Sequence, residues 1–357
     1  MSRKIQRRSF FRKKRLNVKG LKTLLSIAAI LACIFYGAIF LLPVVPKDSN
    51  IVGSPQYKIQ IKPQSGLRSI ADQLQAQGIS VGIYSFQISA KALFIGSKLK
   101  PGTYLLPTGA SLGKVLLQIA RGDRVRESIA IIPGMTIWQL RALVDAHPAL
   151  IHQTKGMTTK DLLQSLNLSY ANAEGIFLPD TYIFDPDEPD LNIYRRASQA
   201  MQKQLIKIWD QKAEGLPLQT PYQLLILASI VEKETGRSSD RGLISAVFVN
   251  RLNKNMPLQT DPTVIYGIGP KFDGNLRKAD LRKDSPYNTY MHKGLPPTPI
   301  SMPSMESIQA SAHPEKSNVL YFVAKGDGTS HFSHNLSQHE EAVDRYQRKS
   351  SQNKANQ

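Results

Sequence analysis

Cysteine is nearly absent. Cys33 stands alone among 357 residues, so an internal disulfide framework and a multi-thiolate metal site are both excluded. No G-x-S-x-G, P-loop or GxGxxG element occurs, which weakens hydrolase-triad, nucleotide and dinucleotide readings. Acid is missing from the first 23 residues, while ten Lys and Arg crowd the same stretch. About half of the chain's net charge of +19 therefore sits at one end. With 41% apolar and 20% charged residues, the chain is neither disordered nor collagen-like. Its length fits two domains of about 150 residues each.

The basic stretch abuts LLSIAAILACIFYGAIFLLPVV (24–45), 22 residues without a charge. About 20 apolar residues cross a bilayer's hydrocarbon core, so one membrane-spanning helix is expected. The competing reading is a cleaved signal peptide. The run is longer than the usual h-region, and Pro43-Val44-Val45-Pro46 offers no small-x-small cleavage site. Residues 1–23 then stay cytoplasmic against anionic lipid, and everything from Pro46 onward crosses. Nucleic acid is not expected as a partner, because no aromatic-interleaved basic patch lies on the globular part.

After the linker Lys47 to Gly53, a β-favouring segment, Pro/Gly/Ser punctuation and an amphipathic helix follow one another three times, at 57–79, 103–122 and 128–147. Ser65, Ser111 and Thr136 stand where a helix N-cap is needed. These copies resemble, loosely, the LysM pattern of carbohydrate-binding modules, and plain scaffold is the alternative. They outline a domain over 46–150. From 151 to 344 the texture changes to helices and longer loops, with helices expected at 158–166 (Thr159 as cap) and from Asn192 to Lys212. The 345–357 tail is polar and reads as disordered.

QTPYQLLILASIVEKETG (219–236) carries full start and stop signals: Thr220 as cap, Pro221 at the first position and Gly236 at the end. Leu224 to Val231 is apolar on every side except at Ser229, which predicts a buried central helix. It ends in Glu232, Lys233 and Glu234. Desolvation raises a carboxyl pKa toward the range a general acid needs, although an exposed last turn also carries charges without function. Glu232 lies over the small Ala228 and Ser229, which leave room for a substrate. Glu234 lies over the bulky Ile230 and Val231. Spacing thus favours Glu232 for catalysis and Glu234 for support.

Downstream, Gln259, Thr260 and Asp261 precede Pro262, and Tyr287, Asn288, Thr289 and Tyr290 precede a Gly-Leu-Pro-Pro bend. Aromatic faces with amides suit sugar recognition, while Pro-rich loops also occur without any ligand. His331, His334 and His339 raise a metal site, but H-x2-H-x4-H matches neither HExxH nor a zinc-finger spacing.

LASIVEKETG, NRL, LQTDPTVIYG, SPYNTY, GLPPTPI and YFVAKGDGTSHF, in this order, closely resemble the endolytic murein transglycosylase (YceG-like) family. EGIFLPDTY, the anchor and the LysM-like region match its layout. The resemblance covers about Ile61 to Val343. It implies an α+β fold with a single N-terminal transmembrane helix, a small LysM-like α/β module and a mixed α/β catalytic domain built round a buried helix. It implies that Glu232, first acid of VEKE, is catalytic, and that internal bonds of peptidoglycan strands are cut to leave 1,6-anhydro ends. Glu234, Thr260, Asp261, Tyr287 and Asn288 are then expected to orient substrate or acid, with no metal or cofactor. The protein is expected in the inner (cytoplasmic) membrane, beside the wall-synthesis machinery. GRSSDRG, after the glutamates, departs from the pattern as a Gly- and Ser-rich loop. A hydrolytic muramidase with Asp261 as second carboxylate, and a non-catalytic wall-binding scaffold, remain as alternatives.

Overall fold

The computed structural model describes residues 18–234 and 237–348 and falls into two compact units, 1–126 and 127–357. The basic residues before position 18, the Gly236 stop and the tail beyond 348 lie outside the described residues.

In the first unit, helix α1 (Val18–Leu41) is long and apolar enough to cross a membrane, and its side chains are almost all exposed. The helix ends before Pro43, which cannot continue it. Val44 and Val45, expected within the span, instead donate their amides to Ala110 O (2.9 and 3.1 Å), and Val45 is buried in the globular core. That core lies between strands β1 (Gln56–Ile61) and β2 (Gly102–Pro107), paired antiparallel, and helices α2 (Leu67–Ala76), α3 (Ile83–Ala92) and α4 (Leu112–Arg121). Its apolar contacts come from Ile59, Ile61, Leu74, Phe86, Leu116 and Ile119, spaced by two along strands and by three or four along helices.

The third strand–turn–helix segment opens the second unit. Strand β3 (Glu127–Ala130) leads to helix α5 (Ile137–Asp145), and β3 pairs antiparallel with β5 (Thr181–Phe184), some fifty residues downstream. Both strands of that long-range pair belong to the unit that begins at 127. Strand β4 (Leu150–Ile151), helix α6 (Thr159–Ser165), strand β6 (Glu188–Pro189, parallel to β4) and helix α7 (Leu191–Asp210) complete the flank. At the centre stands α8 (Pro221–Glu234), with every side chain from Leu224 to Val231 buried. Around it pack α7, α9 (Ser238–Asn253), α10 (Asp261–Ile268) and α11 (Met305–Ala312). The hairpin β7 (Tyr321–Ala324) and β8 (Ser330–Ser333) with α12 (Leu336–Val343) closes the chain, and Arg345 to Arg348, expected in the polar tail, continue it as a wide helical turn.

Several expected caps move by one residue. Gly66, not Ser65, precedes α2, and Ser65 Oγ accepts from Gln73 Nε2 (2.8 Å). Ser111 precedes α4 without a side-chain cap bond. Thr158, not Thr159, caps α6 in a reciprocal box with Asp161. Thr220 caps α8 by accepting from Gln223 N (3.2 Å). The segment read as a Gly- and Ser-rich loop is already helical from Ser238, and Asp240 in its first turn is buried against Ser330 N (2.9 Å).

Candidate active site

Successive residues on a helix point about 100° apart, so the last three residues of α8 meet three different surroundings. Glu232 points to α11. Its Oε2 accepts from Ser304 N (2.9 Å), Ser307 Oγ (2.7 Å) and Ser304 Oγ. Ser304 caps α11, so this carboxylate sits at a helix N-terminus where negative charge is favoured. The room foreseen over Ala228 and Ser229 is filled. Both are fully buried, Ser229 Oγ accepts from Ile300 N (3.0 Å), and Ser301 Oγ donates to Ser229 O (3.2 Å).

Glu234 faces a cleft of about 600 Å³. Thr260 Oγ1 donates to its Oε1. Burial pushes this carboxyl up to about 7, the Thr260 bond pulls it down, Asp261 pushes it up and Arg251 pulls it down. In the same cleft, Tyr290 OH donates to Asp261 Oδ1 (2.6 Å). Arg251 is nearly buried; its Nε donates to Leu320 O (2.7 Å), its Nη1 to Leu258 O (2.8 Å), and its guanidinium lies 5.1 Å from the Tyr321 ring centre. His339 stacks on the other side of that cluster, 5.1 Å from Tyr321. Burial, then Arg251, hold its imidazole below the usual range.

The remaining expected residues divide. Thr260 and Asp261 line the cleft with Glu234. Tyr287 and Asn288 do not. Tyr287 OH pairs with Thr298 Oγ1 (2.9 Å), and its ring meets Tyr266 edge-on at 4.9 Å. Asn288 is 1% exposed; its Nδ2 donates to Leu281 O (3.1 Å) and Lys283 O (2.7 Å), and its Oδ1 accepts from Tyr290 N (3.0 Å). Its polar atoms hold the loop that carries Tyr290.

Two contributors escaped the sequence reading. Arg251 stood in NRL and Glu174 in EGIFLPDTY, yet nothing local marked them, whereas Tyr290 was already visible among the aromatic residues of SPYNTY. Glu174 is fully buried; its carboxyl accepts from Ile137 N (3.0 Å) and Gly175 N (3.3 Å), and burial pushes it up to about 7 against those amides and Tyr266. It thereby fixes the start of α5, where Trp138 stacks on Tyr266 (5.0 Å, 25°). That stack, with Lys233 and Phe272, lines a second hollow of about 380 Å³. Pro262, Ile265 and Tyr266 of α10 wall this hollow, while Asp261 of the same helix walls the cleft.

The model of the YceG-like family matches residues 59–345. A Bacillus subtilis (strain 168) protein named endolytic murein transglycosylase is 31% identical over 331 residues, covering 87% of this chain and 89% of the relative. A Streptococcus pneumoniae (strain D39) protein of the same name is 30% identical over 84% of this chain, which spans 59% of that longer relative. The 2.6 Å crystal structure of a YceG-like protein from Listeria monocytogenes aligns with a TM-score of 0.51 at 29% identity, over 80% of this chain and 98% of that one. With the family's pattern extending through both units, the chain belongs to the YceG-like family.

Proposed function

We propose that this protein is an endolytic murein transglycosylase in which Glu234, rather than Glu232, is the acid that cuts the glycan. The observation that carries the assignment is the Glu234 carboxyl: it opens on the cleft, and burial pushes it up to about 7, toward the range in which a carboxyl keeps its proton. A group poised there can give a proton and take one back.

In this reading neutral Glu234 protonates the glycosidic oxygen leaving C1 of N-acetylmuramic acid. Positive charge grows on the ring and is shared with the substrate's own N-acetyl oxygen. The ionised Glu234 then removes the C6 hydroxyl proton, and that oxygen closes on C1. The product is a 1,6-anhydro end, no water is consumed, and the acid returns to its starting state. Thr260 keeps the carboxyl aimed, while the mutual support of Asp261 and Tyr290 shapes the wall beside it. A strand cut internally must continue past both sides of the broken bond. The Trp138–Tyr266 platform, beyond the shared wall of α10, suits a further pyranose. We expect Trp138→Ala to raise KM for long strands about tenfold, equivalent to about 1.4 kcal/mol, with kcat little changed; an unaltered KM would remove the platform from the substrate path.

Asp261, a second carboxylate in the same cleft, supports the runner-up, a hydrolytic muramidase. Mass spectrometry of products from uncrosslinked strands separates the two: anhydro-muramic ends support the transglycosylase, and reducing ends the muramidase. The pH profile is a further test. Glu234 must start protonated, so cleavage should fall about tenfold per pH unit above about 7. Because Asp261 pushes Glu234 up, Asp261→Asn should move that limb to lower pH. A limb that stays in place assigns the proton to another group.

We further read α1 as a single membrane span with residues before it cytoplasmic and both globular units outside, which brings the cleft to nascent strands and to the enzymes that extend them. The first unit has the strand–helix–helix–strand order β1, α2, α3, β2, and a LysM-like role in holding glycan remains part of the proposal.

A further inference from the structure

Outside the cleft, a cluster of polar side chains gathers where the end of α5, the turn after β4 and the start of α7 meet. Asp145, His152 and Asp190 each bring one ligand atom there, all within 4.8 Å of one another. Asp190 is fully buried, and its carboxylate is oriented by Gln153 N (3.0 Å), Thr154 N (3.1 Å) and Thr154 Oγ1 (2.7 Å). The other atoms lack such partners. Asp145 Oδ1 and His152 Nδ1 are buried with no hydrogen-bond partner among the described residues. Tyr194, in the first turn of α7, is itself 0% exposed. The nearby cation, Arg141, is turned to the carbonyls of Thr154 (3.2 Å) and Met157 (2.5 Å).

Buried polar atoms almost always have partners, and two orphans beside a fully buried carboxylate require an explanation. We propose that Asp145, His152 and Asp190 form a binding site for a divalent metal ion of the zinc or manganese type, independent of the cleavage chemistry. One such ion offsets two adjacent carboxylates and takes the unused imidazole nitrogen as a ligand. A water can fill a further position. One nitrogen and two carboxylate donors favour zinc or manganese over the all-oxygen sets of calcium and magnesium. The amides and hydroxyl around Asp190 supply the outer hydrogen bonds that fix a ligating carboxylate.

The role of the ion follows from its place. β4 and β6 pair over only Leu150–Glu188 and Ile151–Pro189, a ladder too short to tie α5 to α7 by itself. An ion held by residues from all three segments clamps them together.

The test uses the full chain in detergent micelles, stripped with EDTA and then freed of chelator. Zinc and manganese chlorides are titrated separately by calorimetry, with thermal unfolding followed in parallel. The expected result is one equivalent bound and a midpoint raised by several degrees, both lost in His152→Gln and in Asp145→Asn. Circular dichroism checks that each variant folds, and the near-isosteric Asp145→Asn decides if His152→Gln does not. Absence of binding by either ion overturns the proposal. So does binding that persists undiminished in the variants, which would place the ion on other groups such as His331 or His334.

Discussion

Glu234→Gln is expected to lower strand cleavage by about a thousandfold or more, with the protein still folded, whereas Glu232→Gln should keep activity within several-fold of the parent. The glutamine at 234 keeps the shape and can still accept the Thr260 hydroxyl, but it can neither donate the proton that releases the leaving oxygen nor recover one from C6. Both halves of the reaction depend on that one group, so the loss exceeds that of an acid used once. At 232 the change is of another kind. The carboxylate serves Ser304 and Ser307 at the start of α11, and neutralising it weakens charge-assisted bonds worth about 2 kcal/mol in total. Glu232→Gln should therefore melt a few degrees earlier while cutting nearly as well. Turnover on uncrosslinked strands and melting curves for the two variants decide the matter. A folded Glu232→Gln protein as inactive as Glu234→Gln would return the catalytic role to the first acid.

The second large effect is structural. Gly175→Ala should destabilise the second unit by about 3 kcal/mol or more. Gly175 has φ +77°, and a methyl group there would lie 2.4 Å from Pro299 Cβ and 3.2 Å from Ser301 O. Neither neighbour can yield cheaply. Pro299 is a ring in the chain, and Ile300 and Ser301 are bonded to Ser229 in the middle of α8. The preceding residue, Glu174, holds the start of α5, so strain at 175 reaches both α5 and the middle of α8. Thermal unfolding of the purified variant measures it; a midpoint within about a degree of the parent would mean the loop absorbs the methyl group.

Much of the architecture is legible in the residues because its signals are local. Thr220, Pro221 and the unbroken apolar stretch from Leu224 define α8 by themselves, and the three strand–turn–helix segments are visible in their spacing. What stays hidden depends on partners distant in sequence. The choice between Glu232 and Glu234 turned on small residues one turn below Glu232, and nothing near them reveals that Ile300 and Ser301 fill that space. Glu234 seemed crowded by Ile230 and Val231, yet its carboxyl extends past them to Thr260. Asn288 has the composition of a sugar-binding residue, but three backbone groups of its own loop engage it. The pairing of β3 with β5 spans some fifty residues, and the repeat pattern conceals it.

The last turn of α8 also limits how the gene can vary. Glu232 must meet α11, Lys233 the hollow beside Trp138, and Glu234 the cleft. Inserting or deleting one codon anywhere between Leu224 and Val231 would rotate all three by about 100°. Glu234 would then swing into a helix terminus or a hollow built for something else, and the fully buried faces above it would turn with it. Length changes are therefore confined to connections such as the exposed stretch around 273–284, and α8 can change only by substitution.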